Sequence, residues 1–116
     1  IGLNVNQSEF RSNAPNPVSL YNIIGRETPL EEMLDAVLRS FELYYRRAVE
    51  GDCDGICAEY NAALFRREGM HAYEDCATGE RFEARISRVA PNGRLHLTDT
   101  QGLERTYWMK EVRFIV

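Results

Sequence analysis

The sequence predicts an α+β chain, with helices in its first part and a small antiparallel β unit in its last. Three observations predict it. From Leu30 to Tyr45, apolar residues recur at three- and four-residue intervals, the period of an amphipathic helix. From Met70 onward the period drops to two, so one side of each segment is dry and the other wet. Within that second region, Pro91-Asn92-Gly93 supplies a fixed φ, a residue tolerant of left-handed geometry and a glycine, a strong hairpin signal.

The 116 residues suffice for one domain, or for one small domain plus part of another. With 44% hydrophobic and 28% charged residues, the composition is that of an ordinary soluble globular protein. A net charge of −4 argues against a general nucleic-acid or anionic-membrane surface. No apolar run approaches the ~20 residues of a membrane span, and no signal peptide opens the chain. The three cysteines are an odd number without framework spacing, so a reducing, cytoplasmic setting is expected. Cys53 and Cys57 stand one helical turn apart, but Cys76, His71 and His96 lie at no recognised ligand spacing. Packed thiols, and no metal site, are the expectation. The first residue is Ile1 and a strand-like pattern begins at once, which reads as a piece of a longer protein.

In residues 1–7, Ile1, Leu3 and Val5 alternate with Gly2, Asn4 and Asn6. This predicts a strand whose polar side carries poor strand formers. Gly2 lets another group approach the backbone, and each asparagine amide both donates and accepts. Two readings stand at this point: a ligand across the strand end, or a strand running into a turn. Residues 8–17, with Ser12, Asn13, Ala14, Pro15, Asn16 and Pro17, form a loop. Residues 18–24 are apolar enough to pack back on the body, and Gly25 ends them.

Thr28-Pro29-Leu30-Glu31 then predicts a helix start, with a hydroxyl cap, proline at the first position and glutamate three residues on. The helix runs to about Val49 and closes at Gly51. A shorter helix is expected over 54–68 with Gly69 as its stop, and the two make a helical hairpin. Phe41, Tyr44, Tyr45 and Tyr60 are expected in the core. Five strands follow, over 70–75, 80–90, 94–99, 103–107 and 112–116, with 108–111 as a tight helical turn. Five short strands in so little chain suggest a bent, SH3-like antiparallel barrel.

Taken together, Gly2-Leu3-Asn4-Val5-Asn6, the loop ending in Asn16-Pro17-Val18-Ser19-Leu20, the helix pair and the terminal barrel closing on Glu111-Val112 resemble the C-terminal portion of bacterial biotin protein ligases. That resemblance implies residues 1–69 as the end of the ligase catalytic domain, an edge strand, an adenylate loop and two helices, and 70–116 as its SH3-like barrel domain. The enzyme it implies uses ATP, with Mg2+, to activate biotin as biotinyl-adenylate. It then transfers biotin to a lysine of the biotin-carrier domain of a biotin-dependent carboxylase. By the same resemblance Asn4 lies by the adenine, Gly2 and Asn6 flank it, Pro17 stands near the end of the loop that closes over the adenylate, and Glu111 matches an acidic residue on the ATP side. Lys110 replaces the family's glycine there.

The family's arginine- and glycine-rich loop and its adenylate-supporting lysine have no counterpart in this sequence. No catalytic residue is therefore assigned to it, and the isolated chain is expected to be inactive. The apolar faces of the first strand and first long helix make a homodimer an expectation as well. The alternative is a non-catalytic SH3-like module binding a protein or an extended peptide. That alternative leaves Asn4, Asn6 and the proline loop without a role.

Overall fold

The computed structural model describes every residue except Ile1, Ser12, Ala14 and Pro15; the start of the expected first strand and part of the proline loop thus lie outside the described residues. Two compact units divide the chain, 1–46 and 47–116.

In the first unit, residues 2–7 form no strand. The alternation there is real, but no neighbouring strand offers ladder partners. The carbonyls of Asn4 and Val5 instead accept from the N–H groups of Leu20 and Tyr21, at 3.0 and 2.8 Å. Those two residues open α1 (Leu20–Ile24), a five-residue helix that apolarity alone did not announce. Ser19 caps it reciprocally with Asn22, and Gly25 ends it at φ 72°, a left-handed stop that favours glycine.

α2 (Leu30–Val49) follows where the periodicity places it. Its first backbone bond runs from the Met33 N–H to the Pro29 carbonyl, so Pro29 is the cap and Thr28 lies one residue outside. The apolar stripe of α2 is uncovered: Leu30, Leu34, Leu38, Phe41 and Tyr45 are all exposed. Phe41 and Tyr45 stack on each other at 6.0 Å. The expectation that Phe41, Tyr44, Tyr45 and Tyr60 sit in a core is thus corrected, since all four are exposed. Within the first unit no sheet exists for the helix to lie on.

The second unit opens with α3 (Cys53–Ala62), capped by Asp52, whose Oδ1 accepts from the Gly55 N–H at 3.1 Å. It stops six residues short of the expected end. Leu64 and Phe65 leave the helix to pack on the β unit, where Phe65 meets Phe114 at 6.3 Å. The Arg66 guanidinium reaches the Ile115 carbonyl at 2.7 Å. Five strands follow, β1 (His71–Asp75), β2 (Arg81–Val89), β3 (Leu95–Asp99), β4 (Glu104–Tyr107) and β5 (Val112–Phe114). They form one antiparallel sheet in the order β4-β3-β2-β1-β5. No ladder joins β4 to β5, so the established architecture is α+β with an open five-stranded sheet. Its dry face gathers Tyr73, Ala84, Ile86, Leu97 and Tyr107, flanked by Phe82, Leu95, Val112 and Phe114.

Tyr73 is wholly buried, pairing with Phe82 on one side and Phe114 on the other. Its ring meets theirs at 5.9 and 5.0 Å, within the range of favourable aromatic contact. Burial pushes its pKa up, and its hydroxyl has no hydrogen-bond partner among the described residues. An orphaned buried donor costs more than its removal. Tyr73→Phe is therefore expected to raise stability by about 1 kcal/mol, read as a higher urea midpoint with an unchanged slope.

Candidate functional site

Residues 4–8 are bonded to residues 18–22, and the polar groups between them form a clasp. The Ser19 hydroxyl is 2% exposed and donates to the Gln7 carbonyl at 2.5 Å, while the Asn22 amide donates to the Ser8 carbonyl at 3.3 Å. These bonds pin both ends of the proline loop at its base. Asn4 is exposed; its amide donates to the Val18 carbonyl at 3.3 Å. Its Oδ1 has no partner among the described residues.

Asn6 is tied down more firmly. Its amide donates to the Thr28 carbonyl and its oxygen accepts from the Thr28 N–H, both at 2.9 Å. One side chain thus behaves toward Thr28 as a backbone partner in a ladder does. Beside it is a cavity of about 270 Å³ lined by Leu3, Val5, Asn6, Gln7 and Leu30. Gly2 is exposed, and a Cβ built there meets nothing within 4 Å. Pro17 is exposed on the loop. Asn6→Ala removes both bonds to Thr28, and the expected result is faster hydrogen exchange at the Thr28 amide by about tenfold, near 1–2 kcal/mol of local stability. Asn4→Ala leaves that amide's exchange unchanged.

Glu111 belongs to the second unit. In the turn between β4 and β5 its Oε2 accepts from the Trp108 N–H at 2.8 Å, and its N–H donates to the Trp108 carbonyl at 3.1 Å. Its own carbonyl accepts from the Cys76 N–H at 2.8 Å. Lys110 beside it holds φ 71°, a conformation a non-glycine residue adopts only at a cost. A cavity of about 440 Å³ opens here, lined by Asp75, Cys76, Thr106, Tyr107, Lys110 and Glu111. The backbone N–H of Thr78, with that of Ala77, holds the Asp75 carboxyl below the usual range against the opposing effect of burial. Burial pushes the Tyr107 hydroxyl up. The turn thus holds a carboxylate fixed by the Trp108 N–H beside an ammonium that has no ion-pair partner among the described residues.

The structure brings Gly2, Asn4, Asn6 and Pro17 into one unit and Glu111 into the other. Sequence reasoning missed Ser19, Asn22 and Asn61. Ser19-Leu20-Tyr21-Asn22 carried a readable capping signal; Asn61 carried none, because its partner is 28 residues away. Cys53, Cys57 and Cys76 are free thiols. Among the described residues no group of three or more His, Cys, Asp or Glu is placed to hold a metal ion. No described helix is long and apolar enough to cross a membrane.

No protein-family model and no curated protein matches the sequence. The fold, by contrast, is one that solved structures share, and it is found within a class of ligases. The apo structure of the biotin protein ligase from Aquifex aeolicus is similar over 97% of this chain, with a TM-score of 0.72 at 15% identity. The chain spans about half of that protein, 49% of its length.

Proposed function

We propose that this chain is the C-terminal portion of an ATP-dependent biotin protein ligase. The observation that carries the reading is the fold match, which runs through nearly the whole chain and through half of a ligase. The glycine-x-asparagine segment, the proline loop and the Glu111 turn support it from the sequence side. In this reading residues 1–69 close the catalytic domain, and 70–116 are its SH3-like barrel.

The parent forms biotinyl-adenylate and passes biotin to a lysine of a carboxylase's biotin-carrier domain. Asn4, with an open amide oxygen, faces the adenine; Gly2 and Asn6 shape the backbone around it. The proline loop, pinned at Gln7, Ser8 and Ser19, covers the adenylate, with Pro17 near its end. Glu111 stands on the ATP side. The exposed stripe of α2 is the face that the remaining half of the parent covers. Stabilising a departing pyrophosphate needs fixed cations, and this chain supplies none in a phosphate-binding motif, so the chain alone is inactive.

The test adds a non-hydrolysable biotinyl-adenylate analogue to the 15N-labelled chain. Saturable movement of the Asn4 side-chain amide signal, with no biotinyl-adenylate made from ATP and biotin, is the expected result. An unmoved Asn4 signal at millimolar analogue, or turnover by the chain alone, overturns the proposal.

A further inference from the structure

The second unit holds another cavity, of about 360 Å³, that the ligase reading does not use. Its walls are almost wholly apolar: Leu64 from the segment after α3, Val89 from β2, Leu95 from β3, Phe114 from β5, and Trp108 at the turn. The volume lies at the low end of small-molecule sites, which are mostly apolar with a few polar groups that fix orientation.

Lys110 is the one charged residue of the lining and pairs with no carboxylate among the described residues. Its left-handed backbone, φ 71°, is a strained position where the chain nevertheless places its only lysine. Arg94 is not one of the lining residues; its guanidinium lies 5.0 Å from the Trp108 ring centroid. The Arg94 Nε is buried without a hydrogen-bond acceptor, and Arg94 too has no ion-pair partner among the described residues. An apolar hollow whose one charged lining side chain is an ammonium, without an ion-pair partner among the described residues, calls for an anionic head on an apolar body.

From this we infer that the cavity binds a small apolar monocarboxylate, such as a medium-chain acid, with its chain among Leu64, Val89 and Leu95 and its carboxylate at Lys110. The inference does not rest on the ligase reading: Leu64, Val89, Leu95 and Trp108 have no part in it, and Lys110 borders this cavity as well as the one beside Glu111.

Trp108 is the only tryptophan, so its fluorescence reports on this wall alone. The 116-residue chain is titrated with decanoate below its micellar concentration, and in parallel with decanol, the neutral counterpart. A saturable change with decanoate, about three- to tenfold tighter than with decanol, is expected. Lys110→Met keeps the backbone demand and the apolar stem while removing the charge; it is expected to bring decanoate down to the affinity of decanol. Absence of a saturable change, equal affinity of the acid and the alcohol for the unaltered chain, or undiminished preference in Lys110→Met overturns the inference. The decanol comparison uses the unaltered chain and so holds whatever the variant's folding.

Discussion

Leu97→Ala is expected to lower stability by about 3–5 kcal/mol. Leu97 is 0% exposed and sits on β3, the second strand in the sheet order. It faces Ile86 of β2 on one side and Arg105 of β4 on the other. Removal of its side chain leaves a void that the surrounding ladders hold open, because three strands fix their spacing by backbone bonds. The cost therefore includes the lost burial and the residual cavity. Leu95→Ala is the comparison. Leu95 is only half-buried and already borders a cavity, so its truncation is expected to cost less than half as much. Urea unfolding of both variants measures the difference; equal losses mean that the centre of the sheet collapses as readily as its margin.

Asn61→Leu comes next, with an expected loss of about 2–4 kcal/mol. The Asn61 amide donates to the Cys57 carbonyl at 2.9 Å and to the Val89 carbonyl at 3.0 Å, and its oxygen accepts from the Val89 N–H at 2.7 Å. β1 pairs with β2 only as far as Ala84. Beyond that point the same edge of β2 has no strand beside it, and at Val89 one side chain from α3 takes the strand's place. Leucine matches the volume but leaves both Val89 groups without partners in a partly buried position, where desolvation is not repaid. Asn61→Asp retains the acceptor and loses the donor, so an intermediate loss is expected. The Val89 amide should exchange rapidly in Asn61→Leu and slowly in Asn61→Asp. Slow exchange in both means that Asn61 is not what protects the Val89 amide.

Much of this architecture is legible in the residues because it rests on local periodicity. The 3.6-residue stripe of α2 and the two-residue alternation of β1 to β5 are each written within one segment, and Pro91-Asn92-Gly93 marks the turn between β2 and β3. What the sequence conceals depends on partners far along the chain. Residues 2–7 alternate like a strand, but alternation does not supply a neighbouring strand, and their carbonyls go to Leu20 and Tyr21. α1 is too short for a periodic signal and is held by the Ser19 cap. α3 ends early because Leu64 has a core to join. In the candidate site, the residue types at Asn4 and Asn6 mark hydrogen-bonding capacity. The pairing of Asn6 with Thr28 joins positions 22 residues apart, and no local pattern encodes it.

The strained turn residue also makes the chain addressable by chemistry. Arginine supplies every other permanently cationic side chain, and guanidinium groups do not react with acylating reagents at mildly alkaline pH, so an activated ester finds one ε-amine. A dye or affinity handle attached there stands between the two hollows that Lys110 borders, without any engineered cysteine.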